Sequence, residues 1–156
     1  MTMRARRIPI PALACALVLA LAFGGCGGGE ATSAPVVSKT TFLAKMEAAC
    51  TRAYNEIKKE FHAFVKGSKA KPFSTPAELE EYAETVIVPI RKRQLEEMRA
   101  IGAPKGEEDR VEAIYAAYDD GIHKTEEDPE EAISSLYGVF GEAEELTQGY
   151  GLQNCR

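Results

Sequence analysis

The sequence predicts an all-α protein: an antiparallel up-down four-helix bundle that follows a cleaved signal peptide and a flexible tether. Three observations predict it. Apolar residues recur at three- and four-residue steps in four successive segments. Helix-opening patterns, Thr75-Pro76-Ala77-Glu78 and Asp128-Pro129-Glu130-Glu131, punctuate those segments. No alternating pattern long enough for a strand occurs. Short connections between the segments favour antiparallel neighbours.

Residues 1–25 read as the signal peptide. Arg4, Arg6 and Arg7 give a positive start, and Ala12–Phe23 gives an apolar run of about 12 residues, against ~20 needed to span a bilayer. Leu21-Ala22-Phe23-Gly24-Gly25-Cys26 resembles a lipobox, in which Cys26 is acylated and becomes the new N-terminus. Residues 26–38 then form the lipidated cysteine and its tether. Rich in Gly, Ala, Ser, Thr and Pro, the twelve residues after Cys26 reach roughly 20 Å on average.

The bundle domain covers residues 39–156. Its first helix runs from about Lys39 to Lys66 with Ser38 as cap, and Phe42, Met46, Ala49, Cys50, Ala53, Ile57, Phe61 and Phe64 form its apolar stripe. The second opens at the Thr75 capping box and buries Leu79, Tyr82, Val86, Ile90, Met98 and Ile101. Pro89 stands in its middle, removing a backbone donor and crowding the preceding turn, so a kink or a break is expected there. Gly102-Ala103-Pro104 ends it. A third helix begins near Glu107, whose acidic neighbours suit the positive end of the helix dipole, and carries Val111, Ile114, Tyr118 and Ile122. The fourth opens at Asp128 and carries Ile133, Leu136/Tyr137, Phe140, Ala143 and Leu146, until Gly149 and Gly151 stop it.

Cysteine usage fixes the compartment and one bond. Cys15 leaves with the signal peptide and Cys26 is spent on lipid, so Cys50 and Cys155 remain as one pair in an oxidising compartment. A bridge closing a loop of about 100 residues contributes ~4–5 kcal/mol by loop entropy. In the antiparallel topology the tail after the fourth helix can fold back to Cys50.

Charge excludes some partners. Without the signal peptide, sixteen basic residues face twenty-four acidic ones, a net charge of about −8. Such a chain offers no basic stripe for nucleic acid, and an anionic membrane repels it, so lipid must do the anchoring. Arg91-Lys92-Arg93 is the one dense basic run and reads as a solvated helix face.

Phe42-Leu43-Ala44-Lys45 with Ala49-Cys50, Val86–Ile90 with Pro89, Arg99–Pro104 and Tyr150–Cys155 together resemble a group of uncharacterised actinobacterial lipoproteins over nearly all of the mature domain. The resemblance implies localisation, a helical fold and the cysteine pair, and nothing chemical.

No catalytic constellation stands out. Asp120 and His123, three apart on one helix, are weak metal candidates, since a di-metal bundle site needs two Glu-x-x-His motifs and further inward carboxylates. His62, between Phe61 and Phe64, is expected to border the core. The run Glu126–Glu131 lacks the ligand spacing and central glycine of an EF-hand. Ser134-Ser135 has no glycine elbow. The expectation is a lipid-anchored protein on the extracytoplasmic face of the cell membrane that binds or scaffolds without catalysis. It needs no cofactor, and its partner is an envelope protein or a small ligand. The alternatives are a metal or haem carrier using His62 or Asp120/His123, and an envelope enzyme.

Overall fold

The computed structural model describes residues 37–67, 73–135 and 138–155, which all fall in one compact unit. The signal peptide, Cys26 and all but the last two residues of the tether lie outside the described residues, as do Leu136 and Tyr137. Among the described residues every regular element is helical.

Helix α1 spans Lys39–Gly67. The Ser38 hydroxyl accepts from the Thr41 amide at 3.2 Å, satisfying one of the donors that a helix start leaves free. Phe42, Met46, Ala49, Cys50 and Ala53 are buried as their spacing predicts. The stripe fades beyond them: Ile57 and Phe64 are half-buried, and Phe61 is exposed, contrary to expectation.

Helix α2 spans Pro76–Tyr82 and opens on the expected capping box. The Thr75 hydroxyl accepts from the Glu78 amide, and the Glu78 carboxylate accepts from the Thr75 amide at 3.3 Å. A π-helical segment, Ala83–Ile87, joins it to α3, Val88–Arg99. The irregularity expected at Pro89 is therefore a π segment just before the proline. Lacking an N–H, Pro89 can close neither an α-type nor a π-type bond, and the Val88 amide bonds back five residues to Ala83.

Helix α4 spans Glu108–Glu127, with Val111, Ile114, Tyr118 and Ile122 buried as predicted and Tyr115 buried beside them. The fourth expected helix is a correction: it forms two pieces, α5 (Pro129–Ser134) and α6 (Gly141–Tyr150). Asp128 caps α5 by accepting from the Glu131 amide at 3.0 Å. After six residues Ser135 turns to an extended conformation and Gly138 takes φ +62°, a left-handed backbone that breaks the helix and suits glycine. Gly149 lies inside α6, and Gly151 alone ends it.

Helix α3 packs against both α1 and α4, α4 against α6, and α5 against α2 and α4. Two apolar clusters result. The larger joins Phe42, Met46, Met98, Ile114, Tyr118 and Leu152 around the disulfide. Fully burying side chains of this size stabilises by about 1.5–3 kcal/mol each. The smaller gathers Ala53, Tyr82, Val86 and Ile90, with Phe64 and Phe73 against it. There Phe73 holds a left-handed φ of 57° while its ring stacks on Phe64, centroids 5.3 Å apart, and meets Tyr82 edge-on at 5.1 Å.

Candidate functional site

The Cys50–Cys155 disulfide is present, with Cα atoms 4.8 Å apart and both residues buried. Polar groups surround it. The Gln94 amide of α3, itself buried, donates to the Cys50 sulfur at 3.4 Å and accepts from Arg91 Nη1 at 2.8 Å. The Tyr118 hydroxyl donates to the Cys155 carbonyl at 3.3 Å, and the Thr147 hydroxyl lies 3.1 Å from the same oxygen. On the outer side the Glu47 carboxylate accepts from the backbone amides of Gln153 and Asn154, the latter at 3.0 Å. The tail is thus held by a covalent bond, two hydroxyls and one carboxylate.

Arg91 is the unusual member. Its guanidinium lies over the Phe140 ring, 4.8 Å from the centroid, and its Nε is buried without a hydrogen-bond partner. Burial lowers its pKa, and nearby Tyr118 and Glu144 partly offset this. Burial likewise raises Tyr118, against the opposing effects of Arg91 and Gln94. Of the run Arg91-Lys92-Arg93, only Lys92 and Arg93 are the solvated cations expected. They bond Glu126 at 2.6 Å and Glu56 at 2.5 Å. Arg91 turns inward instead, and nothing in the sequence distinguishes it from its neighbours.

The metal candidates do not converge. Asp120 is exposed and pairs with Lys124 at 2.5 Å, raising the lysine pKa. His123 is exposed and faces Glu126 at 3.8 Å, while the other Glu126 oxygen accepts from Lys92. His62 does not border the core: it is exposed on α1, its ring edge-on to Phe61 at 5.9 Å. Among the described residues no group of three or more His, Cys, Asp or Glu side chains is placed to hold a metal ion.

An open groove of about 480 Å³ lies between α4 and α6. Ala113, Leu146 and Tyr150 give it apolar surface, Glu142 and Glu145 stand along α6, and Arg110 closes one end. The Tyr150 ring is held between two cations, Lys39 at 5.0 Å and Arg110 at 5.1 Å. Arg110 also donates to the Gly149 carbonyl at 3.4 Å. Burial first, then the neighbouring Glu107 carboxylate, raises the Tyr150 hydroxyl pKa well above its ordinary range. Glu107 in turn bonds Lys39 at 3.0 Å, so the start of α1, the start of α4 and the end of α6 meet at Tyr150. Helical spacing predicted a bundle here but gave no sign of the groove, because its lining comes from two helices, α4 and α6, that only the fold brings side by side.

Comparison with protein-family models, with curated proteins and with solved structures gives no match.

Proposed function

We propose that the protein is a lipid-anchored, extracytoplasmic binding or scaffolding module of a bacterial cell envelope, related to the actinobacterial lipoproteins it resembles and without catalysis of its own. The observation that carries this reading is the buried Cys50–Cys155 bridge. Structural disulfides belong to oxidising compartments. With that pair joined, Cys26 is the one cysteine left after a basic and then apolar export segment, at the position a lipobox assigns to acylation. On this reading the helices run up and down as an antiparallel bundle, and contacts between α1 and α3, α3 and α4, and α4 and α6 support that order. The groove between α4 and α6 is the surface through which it binds.

The test is metabolic labelling with a radioactive fatty acid in a bacterial host. Label should enter the native chain and remain with the membrane fraction, and Cys26→Ser should abolish both. A labelled Cys26→Ser chain, or a native chain released in soluble form, contradicts the anchor.

A further inference from the structure

We propose that the α4–α6 groove docks a basic amphipathic segment of a protein partner, apolar residues on its floor and lysines or arginines along the α6 rim. The inference rests on reading the protein as a binding module and names the surface and the chemistry. Three observations carry it. First, the groove holds about 480 Å³ and its floor carries apolar surface, exposed Ala113 and half-buried Leu146 beside the Tyr150 ring. Second, the charge at its edge is unbalanced. Among the described residues Glu142 and Glu145 form no ion pair: Lys124 of α4 is near enough for Glu142 to raise its pKa, but it is already paired with Asp120 at 2.5 Å. Elsewhere cross-helix pairs do form, as Arg52–Glu97 at 2.7 Å and Arg93–Glu56 at 2.5 Å bind α1 to α3. Third, Arg110, the cation in its described lining, is already engaged. Arg110 is folded onto the Tyr150 ring and bonded to the Gly149 carbonyl, so it closes an end of the groove instead of neutralising the α6 rim.

A neutral or acidic helix would leave these carboxylates unpaired beside a dehydrated floor. A basic segment pairs them as it buries its apolar side, and this is the charge complementarity that selects partners and speeds encounter.

The experiment uses the whole mature chain from residue 26, carrying Cys26→Ser to remove the lipid. Its probe is a fluorescent amphipathic peptide of leucine and lysine at helical spacing, with a second peptide in which glutamate replaces lysine. Anisotropy should report binding of the lysine peptide and none of the glutamate peptide. Glu142→Lys with Glu145→Lys should weaken binding about tenfold. The same reversal at Glu80 and Glu84, exposed and remote from the groove, should change it less than about twofold. Ala113→Glu separates shape from charge: it adds a negative charge but fills the floor, so binding should weaken. Equal loss from both pairs of reversals, tighter binding by Ala113→Glu, or no binding of the lysine peptide overturns the proposal. This chain carries no lipid, so those results leave the anchor untouched, and a failure of fatty-acid labelling leaves the groove untouched.

Discussion

The Phe140 ring sits against Arg91, the guanidinium carbon 4.8 Å from its centroid, at the point where Gly121 of α4 has no side chain. A Cβ built on Gly121 would fall 2.5 Å from Phe140 Cδ1. The missing methyl is therefore what lets the residue before α6 close over the half-buried arginine. Two effects compete in Gly121→Ala. Helix propensity favours alanine by about 0.8–1 kcal/mol in mid-helix. Forcing the ring aside costs about 1–3 kcal/mol. The overlap is too deep for a small adjustment, so the variant is expected to be destabilised by about 1 kcal/mol in urea denaturation. A stabilised variant would mean that Phe140 moves freely.

Arg91 and Gln94 should prove unequal. Among the described residues no carboxylate lies within ion-pair distance of Arg91, and its Nε is orphaned, so Arg91→Met removes a half-buried charge held only by the Gln94 hydrogen bond and the Phe140 ring. It is expected to cost under about 1 kcal/mol or to stabilise. Gln94→Leu instead strips the acceptor from Arg91 Nη1 and should cost about 1–3 kcal/mol. Adding Arg91→Met to Gln94→Leu should recover part of that loss. Strictly additive effects in the double-mutant cycle would contradict the coupling.

Local chemistry was legible in the sequence where one residue type has one use. Ser38, Thr75 with Glu78, and Asp128 all cap helices as their positions require, and the Cys50–Cys155 pair followed from counting. The stripe of α4 is buried as its spacing predicts because α3, α5 and α6 all pack against it. Burial that depends on what lies opposite leaves no trace in the spacing. Phe61 and His62 lie at the far end of α1, where Phe61 stays exposed although its ring stacks on Phe73 at 5.8 Å and meets Tyr82 edge-on. Gly138 interrupts a stripe whose period, with Ile133 before it and Ala143 after, continues as though the helix did. Gln94 and Arg91 look like surface residues, and only the tertiary fold turns Gln94 onto the disulfide and Arg91 onto Gln94 and Phe140.

The tail should depend on its covalent bond more than on its carboxylate. Replacing both Cys50 and Cys155 by alanine removes a bridge across 105 positions and should cost about 2–5 kcal/mol. Glu47→Ala, which frees the amides of Gln153 and Asn154 to water, should cost about 1 kcal/mol. Urea melts of the two variants give the comparison directly, and an order reversed would make Glu47 the principal tie.

Stability should fall in alkali. Burial, with Glu60 as a lesser cause, pushes Tyr82 up to about 12, and burial with Glu112 pushes Tyr115 up to about 12, against an ordinary value near 10. Between those pH values the folded chain holds protons that the unfolded chain has released. Their stabilisation is complete below pH 10 and is lost as pH rises through 12. Urea midpoints should be unaffected by these two groups up to about pH 9.5 and fall above pH 10, in step with tyrosinate absorbance. Early tyrosinate formation by all six tyrosines together, with the fold intact, would mean that the two hydroxyls are solvated.

The most direct measurement is the intact mass of the chain taken from its own membranes. A lipid anchor at Cys26 together with the internal bridge predicts a polypeptide beginning at Cys26, carrying a diacylglyceryl or triacyl adduct and lacking two hydrogens for the Cys50–Cys155 bond. A chain that keeps Met1, or one that begins elsewhere without lipid, would contradict it.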